Sequence, residues 1–407
     1  MRSSVPRLLL RRFISTGPTS CAPPPPTSAS KELKIPFQQQ EEAGGGKKRS
    51  LLWWGAVSLG IGTAVGVAVG YDQIKRVRTL VKNPSDEVPF ILTAVPAHTP
   101  SRSMRFVTDA SGLKLTLFQY QTCPFCCKVR AMLDFFGISY DIVEVNPVLR
   151  SQIKWSQTYK KVPILVVQTP QGEILQLNDS TMIVSALYSF LFANKHQAGN
   201  STSDTNNSMY SIAKCYPTIK YNDDDGKAQT EIMNKYFLML DGDLGKRTKE
   251  DILEERKWRR WADTVYVHTL SPNIYRTVSE AIDSFKYFDK VGEWEKNFPT
   301  WERYLVIYVG ALAMWMIGKR LQKRHNLKAD VRLSLFEESD YWVKCIHKKG
   351  GEFMGGSAPN LSDLAVYGVL SSIEGCEAFG DLMQHSKGLG KWYHNIKNHL
   401  KNNLIQS

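Results

Sequence analysis

The sequence predicts an α/β domain followed by an all-α domain, with one membrane-spanning helix ahead of both. Three observations predict this arrangement: an uncharged run at 51–71, short alternating strands and helices between 108 and 195, and helical periodicity from 230 onward. A chain of 407 residues is long enough for two domains with additional segments. The predicted segments are a targeting and disordered leader at 1–50, a transmembrane helix at 51–71, a tether at 72–107, the α/β domain at 108–195, a polar linker at 196–229 and the helical domain at 230–407.

The positive charge of the chain lies mostly ahead of the predicted domains. The formal net charge is +13, but residues 1–82 carry 13 Lys and Arg against 4 Asp and Glu. The remaining residues therefore have little basic excess. They also contain no compact base-reading motif, which argues against nucleic acid as a partner. The first 13 residues hold four Arg and no acid, a composition typical of an organelle-targeting leader, for which mitochondria are one destination.

The uncharged run Leu51–Tyr71 has the length of a membrane-spanning helix. At about 1.5 Å per residue it reaches roughly 30 Å, the thickness of a bilayer core. Aromatic residues stand at both ends, where amphipathic rings prefer the membrane interface. A second uncharged run, Tyr304–Gly318, is short for a span, so the sequence favours a central helix of the all-α domain there.

The α/β domain is predicted from changes in hydrophobic periodicity. Gly137 ends the first predicted helix, and the element order is β-α-β-β-β-α, the thioredoxin-type layout. In the helical domain, Asn360 stands three positions ahead of Asp363, which predicts a helix N-cap. The predicted strands are Leu113–Tyr120, Tyr140–Asn146, 162–167 and Gly172–Leu177, and the predicted helices are Cys123–Phe136 and Asp179–Phe192.

Three of the seven cysteines lie within five positions, at Cys123, Cys126 and Cys127. A structural zinc site needs four ligands, and the other cysteines stand apart without a nearby His pair, so no metal site is predicted. Cysteines that only pack in a core helix are a second alternative. The odd number and uneven spread of cysteines suit a reducing compartment better than a disulfide framework.

The favoured interpretation of this cluster is a reactive thiol. Cys123 lies between a strand and a helix, where free N–H groups and the helix dipole lower the pKa of a thiol. Pro124 suits the first helical position because its missing N–H is not needed there. Cys126 lies one turn further on and can form a disulfide with Cys123. Cys127 points elsewhere on the helix and is predicted to be a packing residue.

Two later segments support a thiol site. Pro163 follows Val162 just before a strand, and in thioredoxin-like folds that proline is cis and presents the preceding backbone to a bound peptide or thiol. Asp179 and Ser180 then begin a helix whose free N–H groups and hydroxyl can bind a carboxylate, while Asp179 can pair with an α-ammonium group. Glutathione offers both groups on its γ-glutamyl end. A plain helix cap is the alternative role for Asp179.

Together these motifs resemble a glutaredoxin, and the helical region resembles the second domain of the glutathione S-transferases, over roughly residues 108–400. The membrane anchor, the turn "YQTCPFC" from Tyr120 and "EVNPV" from Glu144 further resemble the type 2 microsomal prostaglandin E synthase family. The resemblance implies isomerisation of prostaglandin H2 to prostaglandin E2. It implies that Cys123 is the catalytic thiol, that Tyr120 donates a hydrogen bond toward it and that Cys126 assists. Glutathione would be held by Val162, Pro163, Asp179 and Ser180.

The same resemblance implies further properties of the molecule. Such proteins bind haem through the glutathione sulfur, and in that form degrade the endoperoxide to malondialdehyde and a hydroxy fatty acid. The resemblance also implies a homodimer at the Golgi and perinuclear membrane, with the catalytic part in the cytosol. The Arg-rich leader makes the mitochondrion an alternative location, and a soluble processed form in the cytoplasm is another.

Two other functions fit the same residues. The two-cysteine motif permits a glutathione-dependent thiol-disulfide oxidoreductase that reduces mixed disulfides. A non-enzymatic, transferase-like module that binds protein partners at a membrane is the second alternative.

Overall fold

The computed structural model describes residues 90–157, 159–197, 208–222, 228–240 and 247–405. The predicted leader at 1–50 and the predicted transmembrane helix at 51–71 lie outside the described residues. The described part consists of a five-stranded sheet with helices, a hairpin, and a helical domain. This arrangement confirms the predicted succession of a thioredoxin-like α/β part and an all-α part.

The sheet has the strand order β1-β3-β2-β4-β5, in which β2 and β3 are parallel and the other neighbouring pairs are antiparallel. Strand β4 has a continuous apolar sequence because both of its faces are covered. Helix α1 ends before Gly137, whose φ of +63° lies in the left-handed region that favours glycine. The bounds are β1 Arg102–Met104, β2 Lys114–Gln119, α1 Pro124–Phe135, β3 Tyr140–Glu144, β4 Ile164–Gln168, β5 Ile174–Asn178 and α2 Ser180–Gln197.

Residues 90–107, which the sequence assigns to a tether, belong to the sheet. Ile91 forms a bridge with Leu175 on β5, at one edge. Strand β1 pairs with β3 at the opposite edge. The segment therefore crosses the sheet and protects both edges from open backbone pairing. Its Pro-rich composition gave no strand periodicity, because this pairing uses backbone groups over very short stretches.

The segment at 196–229, predicted as a polar linker, also contains regular structure. Helix α3 spans Met209–Lys214, and the strands β6 Thr218–Asn222 and β7 Ala228–Ile232 form an antiparallel hairpin. Met209 and Ile212 are buried, so α3 is docked on the core despite the polar composition around it. The helical periodicity predicted from 230 begins later, because the chain there is still in β7.

The helical domain contains ten α-helices among the described residues, with two π-helical segments. Asn360 and Asp363 form a capping box, which confirms the predicted N-cap. The π segments are Ala262–Tyr266, between α4 and α5, and Val306–Gly310, between α8 and α9. The helices are α4 Lys249–Trp261, α5 Val267–Ile274, α6 Val278–Val291, α7 Trp294–Asn297, α8 Thr300–Leu305, α9 Ala311–Arg324, α10 Val331–Lys349, α11 Leu361–Ser371, α12 Glu377–His385 and α13 Lys387–Ile405.

Helices α8 and α9 and their π segment form one continuous helix, Thr300–Arg324. Within the described residues it alone is long and apolar enough to cross a membrane by length and composition. The sequence predicts a central helix here, and that prediction is wrong: only 22% of its most apolar window is buried. One side, including Val306, Ile307 and Ala311, packs into the domain, and the other side faces outward. The uncharged run therefore has two faces with different surroundings.

Candidate active site

Cys123 lies at the N-cap of α1, directly after the loop that leaves β2. Its backbone is extended (φ −76°, ψ 121°), and Pro124 takes the first helical position as predicted. The backbone N–H of Cys123 donates to the Tyr120 carbonyl at 3.1 Å, which closes the turn. Cys123 is half-buried, whereas Cys126 is fully buried one turn further on. Of the two thiols, therefore, only Cys123 is open to a substrate.

The two thiols differ strongly in acidity. The hydrogen bond from Cys126 holds the pKa of Cys123 below the usual value of a thiol, and the N–H groups of Cys126 and Phe125 and the charge of Arg130 act in the same direction. Burial raises the pKa of Cys126 well above its usual value, and its bond to Cys123 raises it further. Cys123 is therefore the more readily ionised thiol of the two, and Cys126 donates the hydrogen bond between them.

Tyr120 contacts this pair differently from the prediction. Its hydroxyl has a hydrogen bond with the Arg150 side chain, and burial raises the pKa of the phenol to about 12. The expected hydrogen bond from the hydroxyl to Cys123 is thus replaced by one to a residue of the loop after β3. The backbone of Tyr120 approaches both cysteines, since its carbonyl accepts from Cys123 and its N–H faces the Cys126 sulfur.

The peptide bond between Val162 and Pro163 is cis, as the thioredoxin-type layout predicts. Ile164, the next residue, pairs with Phe118 on β2. Since β2 leads directly into the Cys123 loop, this register places Val162 at the same end of the sheet as the thiols. The backbone of Val162 is thus available at the edge where a bound thiol or peptide would lie.

Asp179 and Ser180 begin α2, as predicted. Asp179 has a φ of +69°, and its Oδ1 accepts hydrogen bonds from the N–H groups of Thr181 at 2.8 Å and Met182 at 3.3 Å. Its Oδ2 lies 3.3 Å from the Nζ atom of Lys235, a contact that the sequence gave no reason to expect. Asp179 therefore both caps the helix and carries an ion pair.

These contacts bear on whether glutathione fits. Ser180 is buried, and within the described chain its hydroxyl has no hydrogen-bond partner, so it suits a carboxylate at the helix start. Asp179 could accept an ammonium group, but Lys235 already provides a cation there. The γ-glutamyl end of glutathione therefore fits on its carboxylate side, and its ammonium group would share Asp179 with Lys235 or displace it.

A buried polar network joins the thiol helix to the helical domain. Lys128 on α1 forms an ion pair with Asp263 and donates to the Thr181 hydroxyl at 2.9 Å. Asp263 also accepts from Thr181 and from the Tyr236 hydroxyl, the latter at 3.1 Å. The charge of Lys128 is therefore neutralised by Asp263 and does not act on the thiol site. Asp263 lies in a π segment, where no local motif marked it.

A second polar network supports the loop that precedes Cys123. Glu144 accepts from the Gln121 N–H at 2.7 Å and lies 3.5 Å from the Arg102 guanidinium. Burial raises the pKa of Glu144 to about 7. Beside α1 there is a cavity of about 200 Å³, lined by Thr122, Cys127 and Arg130 among others. Cys127 packs there as predicted, with its sulfur 3.0 Å from an Arg130 nitrogen.

Comparison with known proteins identifies the family. The chain is 47% identical to prostaglandin E synthase 2 of Danio rerio over 293 residues, which cover 70% of this chain and 72% of the relative. It is 48% identical to prostaglandin E synthase 2 of Mus musculus over 296 residues, covering 72% of each chain. The chain belongs to the prostaglandin E synthase 2 family. This membership confirms the predicted family and the prediction of an isomerase.

One family model and several solved structures are also similar to this prostaglandin E synthase 2 family member. The family model described as glutathione S-transferase, N-terminal domain, matches residues 117–190. Among solved structures, glutathione transferase F7 from Populus trichocarpa is 11% identical with a TM-score of 0.38, covering 72% of this chain and 98% of that one. Glutaredoxin 2 from Salmonella typhimurium in complex with glutathione is 16% identical with a TM-score of 0.32, covering 72% and 96%.

Proposed function

We propose that the chain converts prostaglandin H2 to prostaglandin E2 with the Cys123 thiolate as nucleophile. The observation that supports this most directly is the unequal thiol pair at the start of α1. Cys123 is accessible and has a lowered pKa, and Cys126 is buried beside it with a raised pKa. The names of the relatives supply the product, and the thiol supplies the chemistry that an endoperoxide requires.

The proposed reaction leaves no net redox change. The thiolate attacks one endoperoxide oxygen, so that a sulfur–oxygen bond forms and the oxygen–oxygen bond breaks. The released oxygen takes a proton and becomes a hydroxyl group, and the Cys126 thiol is the nearest proton donor. Loss of the proton from the carbon that carries the sulfur-bound oxygen then forms the ketone and breaks the sulfur–oxygen bond. Cys123 leaves as a thiolate, ready for another cycle.

The remaining site residues have binding and supporting roles in this proposal. Tyr120 holds the cysteine turn through its backbone. Glutathione, when bound, supplies a second thiol, and the Val162 backbone before Pro163, the Ser180 hydroxyl and Asp179 would hold it. A haem group is a weaker expectation. The family resemblance implies that the iron of a bound haem would be held through the glutathione sulfur. No step is assigned to haem.

The proposed setting is a membrane. The uncharged segment 51–71 supports a single membrane anchor. The reactive thiols support a reducing, cytosolic environment for the catalytic part. We assign the protein to the Golgi and perinuclear membrane as a homodimer. The Arg-rich leader supports the mitochondrion as the alternative location.

The test of the proposed activity uses the full chain in detergent with prostaglandin H2, and identifies products by mass spectrometry. Cys123→Ser should abolish prostaglandin E2 formation, because a hydroxyl does not ionise at neutral pH. Cys127→Ser is the matched control, since it changes the neighbouring thiol on the same helix, and it should keep the activity. Equal product from wild type and Cys123→Ser would refute the proposal. Malondialdehyde as the main product would instead support the haem-dependent breakdown.

A thiol-disulfide oxidoreductase is the second candidate, and one observation favours it. Cys126 lies hydrogen-bonded to Cys123, which is the arrangement that resolves a mixed disulfide. Cys126→Ser separates the two functions, because dithiol reduction needs both sulfurs and should collapse. The isomerase needs only the Cys123 sulfur, and serine retains a hydroxyl donor, so most of that activity should survive. A module without enzymatic activity would show no turnover to lose in either variant.

A further inference from the structure

The chain enters the reactive thiol through a tight turn. The N–H of Cys123 donates to the carbonyl of Tyr120 at 3.1 Å, which closes a β-turn. Gln121 and Thr122 are the central residues of this turn. The peptide group between two central residues takes different orientations in different turn types. Whatever holds Gln121 therefore also fixes the direction in which the chain reaches Cys123.

Gln121 is held through its backbone and its side chain. Its N–H donates to Oε1 of Glu144 at 2.7 Å, and its carbonyl oxygen accepts from Arg130 at 2.6 Å. Its side-chain oxygen accepts from Arg102 at 2.6 Å and from Gln119 at 2.9 Å. These partners come from β1, β2, β3 and α1, so the centre of the turn is attached to each of these elements.

Glu144 is the acid among these partners, and its contacts suit a carboxylate. Its Oε1 accepts from Gln121, and its Oε2 lies 3.3 Å from the amide nitrogen of Gln119 and 3.5 Å from the guanidinium of Arg102. All three neighbours are hydrogen-bond donors, and Glu144 is only 2% exposed. A proton on either oxygen would therefore point at a donor, so these contacts fit the ionised form and not the neutral form.

Gln119 cannot relieve that conflict by turning its amide group around. Its oxygen accepts a hydrogen bond from Arg130, while its nitrogen faces Glu144. Turning the amide would direct its NH2 group at the guanidinium of Arg130, which has donors and no acceptor. Arg130 therefore sets the orientation of the amide, and the other end of the amide requires an acceptor at Glu144.

The charged groups around Glu144 decide where it titrates. Burial raises the pKa of Glu144 to about 7, and the positive charges of Arg102 on β1 and Arg130 on α1 oppose that rise. On the side of the helical domain, Arg102 donates to the carbonyl of Val291 at 3.0 Å, and Glu293 acts on Arg102 from the surface. Glu144 therefore changes its charge near neutral pH.

We propose that Glu144 is a positioning residue for the Cys123 thiol: its carboxylate holds the N–H of Gln121, and the turn loosens when that carboxylate is protonated. The inference rests on the proposed role of Cys123 as the nucleophile. A purely structural ion pair between Glu144 and Arg102 is the alternative, and the distances favour it less. Arg102 lies 3.5 Å from Glu144, whereas it lies only 2.6 Å from the side chain of Gln121.

The ratio of two rates tests this role. Conversion of prostaglandin H2 by the full chain in detergent is compared between the wild type and Glu144→Gln. Above about pH 7, kcat of the variant should be at least about tenfold lower with little change in KM, because a displaced nucleophile slows the reaction more than it weakens binding. As the pH falls through about 7, the wild type loses its carboxylate, so the ratio should approach one. Ionisation of Cys123, and of Asp134 with its pKa raised by burial to about 6, occurs in both chains and largely cancels in the ratio.

Asp141→Asn is the matched control, because Asp141 lies on the same strand as Glu144. It forms an ion pair with Arg105 and accepts from the Ser103 hydroxyl at 2.6 Å, so it also joins β3 to the β1 segment, away from the turn. Its kcat should stay near that of the wild type at every pH. Glu144→Asp keeps a carboxylate with a shorter reach, so its kcat should lie between those of the wild type and Glu144→Gln.

The free energy of unfolding in urea separates positioning from folding. Because folding raises the pKa of Glu144, its contribution to stability is fully present below the unfolded value and is lost as the pH rises to about 7. Glu144→Gln should therefore be no less stable than the wild type at about pH 8, although it forms product more slowly.

Three results would overturn the inference: wild-type kcat in Glu144→Gln above pH 7, a rate ratio that is the same at every pH, or a loss of stability that parallels the loss of rate. A wild type that forms no prostaglandin E2 would refute the proposed function instead. The rate at which iodoacetamide alkylates Cys123 then decides the inference in the same two chains. A ratio of alkylation rates that changes as the pH passes about 7 would support the role of Glu144, and a ratio independent of pH would refute it.

Discussion

At the scale of single residues, the Cys123–Cys126 pair makes a testable prediction about acidity. The Cys126 thiol is the largest cause of the lowered pKa of Cys123, so Cys126→Ala should raise that pKa. The rate at which iodoacetamide alkylates Cys123 should then begin to rise at a higher pH than in the wild type. The rate is measured by mass spectrometry of the Cys123 peptide, which separates it from the exposed Cys215.

The matched control is Cys127→Ala, one residue further along the same helix. Cys127 is buried, and its sulfur bonds to Gln121 and Arg130 and not to Cys123. Cys127→Ala should therefore leave the pH dependence of Cys123 alkylation nearly unchanged. An unchanged profile in Cys126→Ala would mean that helix N–H groups and Arg130 alone set the acidity of Cys123.

The sequence predicted those parts of the site that depend on local motifs. Cys123, Cys126 and the cis bond at Pro163 follow from motifs and their order along the chain. The partners Asp263 and Lys235 could not be predicted, since they lie 135 and 56 residues from Lys128 and Asp179 respectively. Contacts over such separations depend on how distant segments of the chain pack together, and the residue pattern within either segment does not record that packing.

At the scale of elements, the π segment between α4 and α5 carries the acid that holds the thiol helix. Asp263 and Lys128 are both almost completely buried, and the charge of Lys128 keeps the pKa of Asp263 below its usual value in spite of burial. Asp263→Asn leaves a buried Lys128 without a counter-charge. We expect a loss of about 3–5 kcal/mol in the free energy of unfolding, measured with urea at neutral pH.

The double variant tests whether this loss comes from the pair itself. Lys128→Met with Asp263→Asn removes both charges, so its cost should be clearly smaller than the sum of the two single variants. Because the pKa of Asp263 is lowered on folding, its contribution is present above its unfolded value and is lost as the pH falls. The difference between wild type and Asp263→Asn should therefore shrink below about pH 4. Additive costs would show that the two residues act independently.

The elements that the sequence missed share a physical cause. Strand β1 has three residues, and the hairpin of β6 and β7 lies in a polar segment, so neither offers the alternation of apolar residues that predicts a strand. The helix Thr300–Arg324 was predicted correctly as a helix but wrongly as central. Composition reports that a helix is apolar, and it does not report whether its own domain or another molecule covers each face.

At the scale of the whole molecule, one hydrophobic core runs through both parts of the described chain. A single cluster of buried side chains includes Leu117 and Leu133 of the α/β part and Trp258 and Tyr393 of the helical part. The most extensive contact between the parts is that of α1 with α11. The two parts should therefore unfold together, with fluorescence and circular dichroism giving the same midpoint in urea.

Gly368 on α11 tests how much this contact contributes. A Cβ at this position would lie 2.6 Å from the Cα and N atoms of Lys128, and backbone cannot move aside as a side chain can. Gly368→Ala should therefore force α1 and α11 apart and lower the free energy of unfolding by at least about 1–3 kcal/mol. Since α1 carries Cys123, the same change should also slow product formation. Gly380→Ala in α12 is the matched control, because nothing lies within 4 Å of its Cβ and alanine favours a helix by about 0.5–1 kcal/mol. Equal stability of the two variants would show that the helices can separate slightly without cost, and the parts would then be coupled mainly through Lys128 and Asp263.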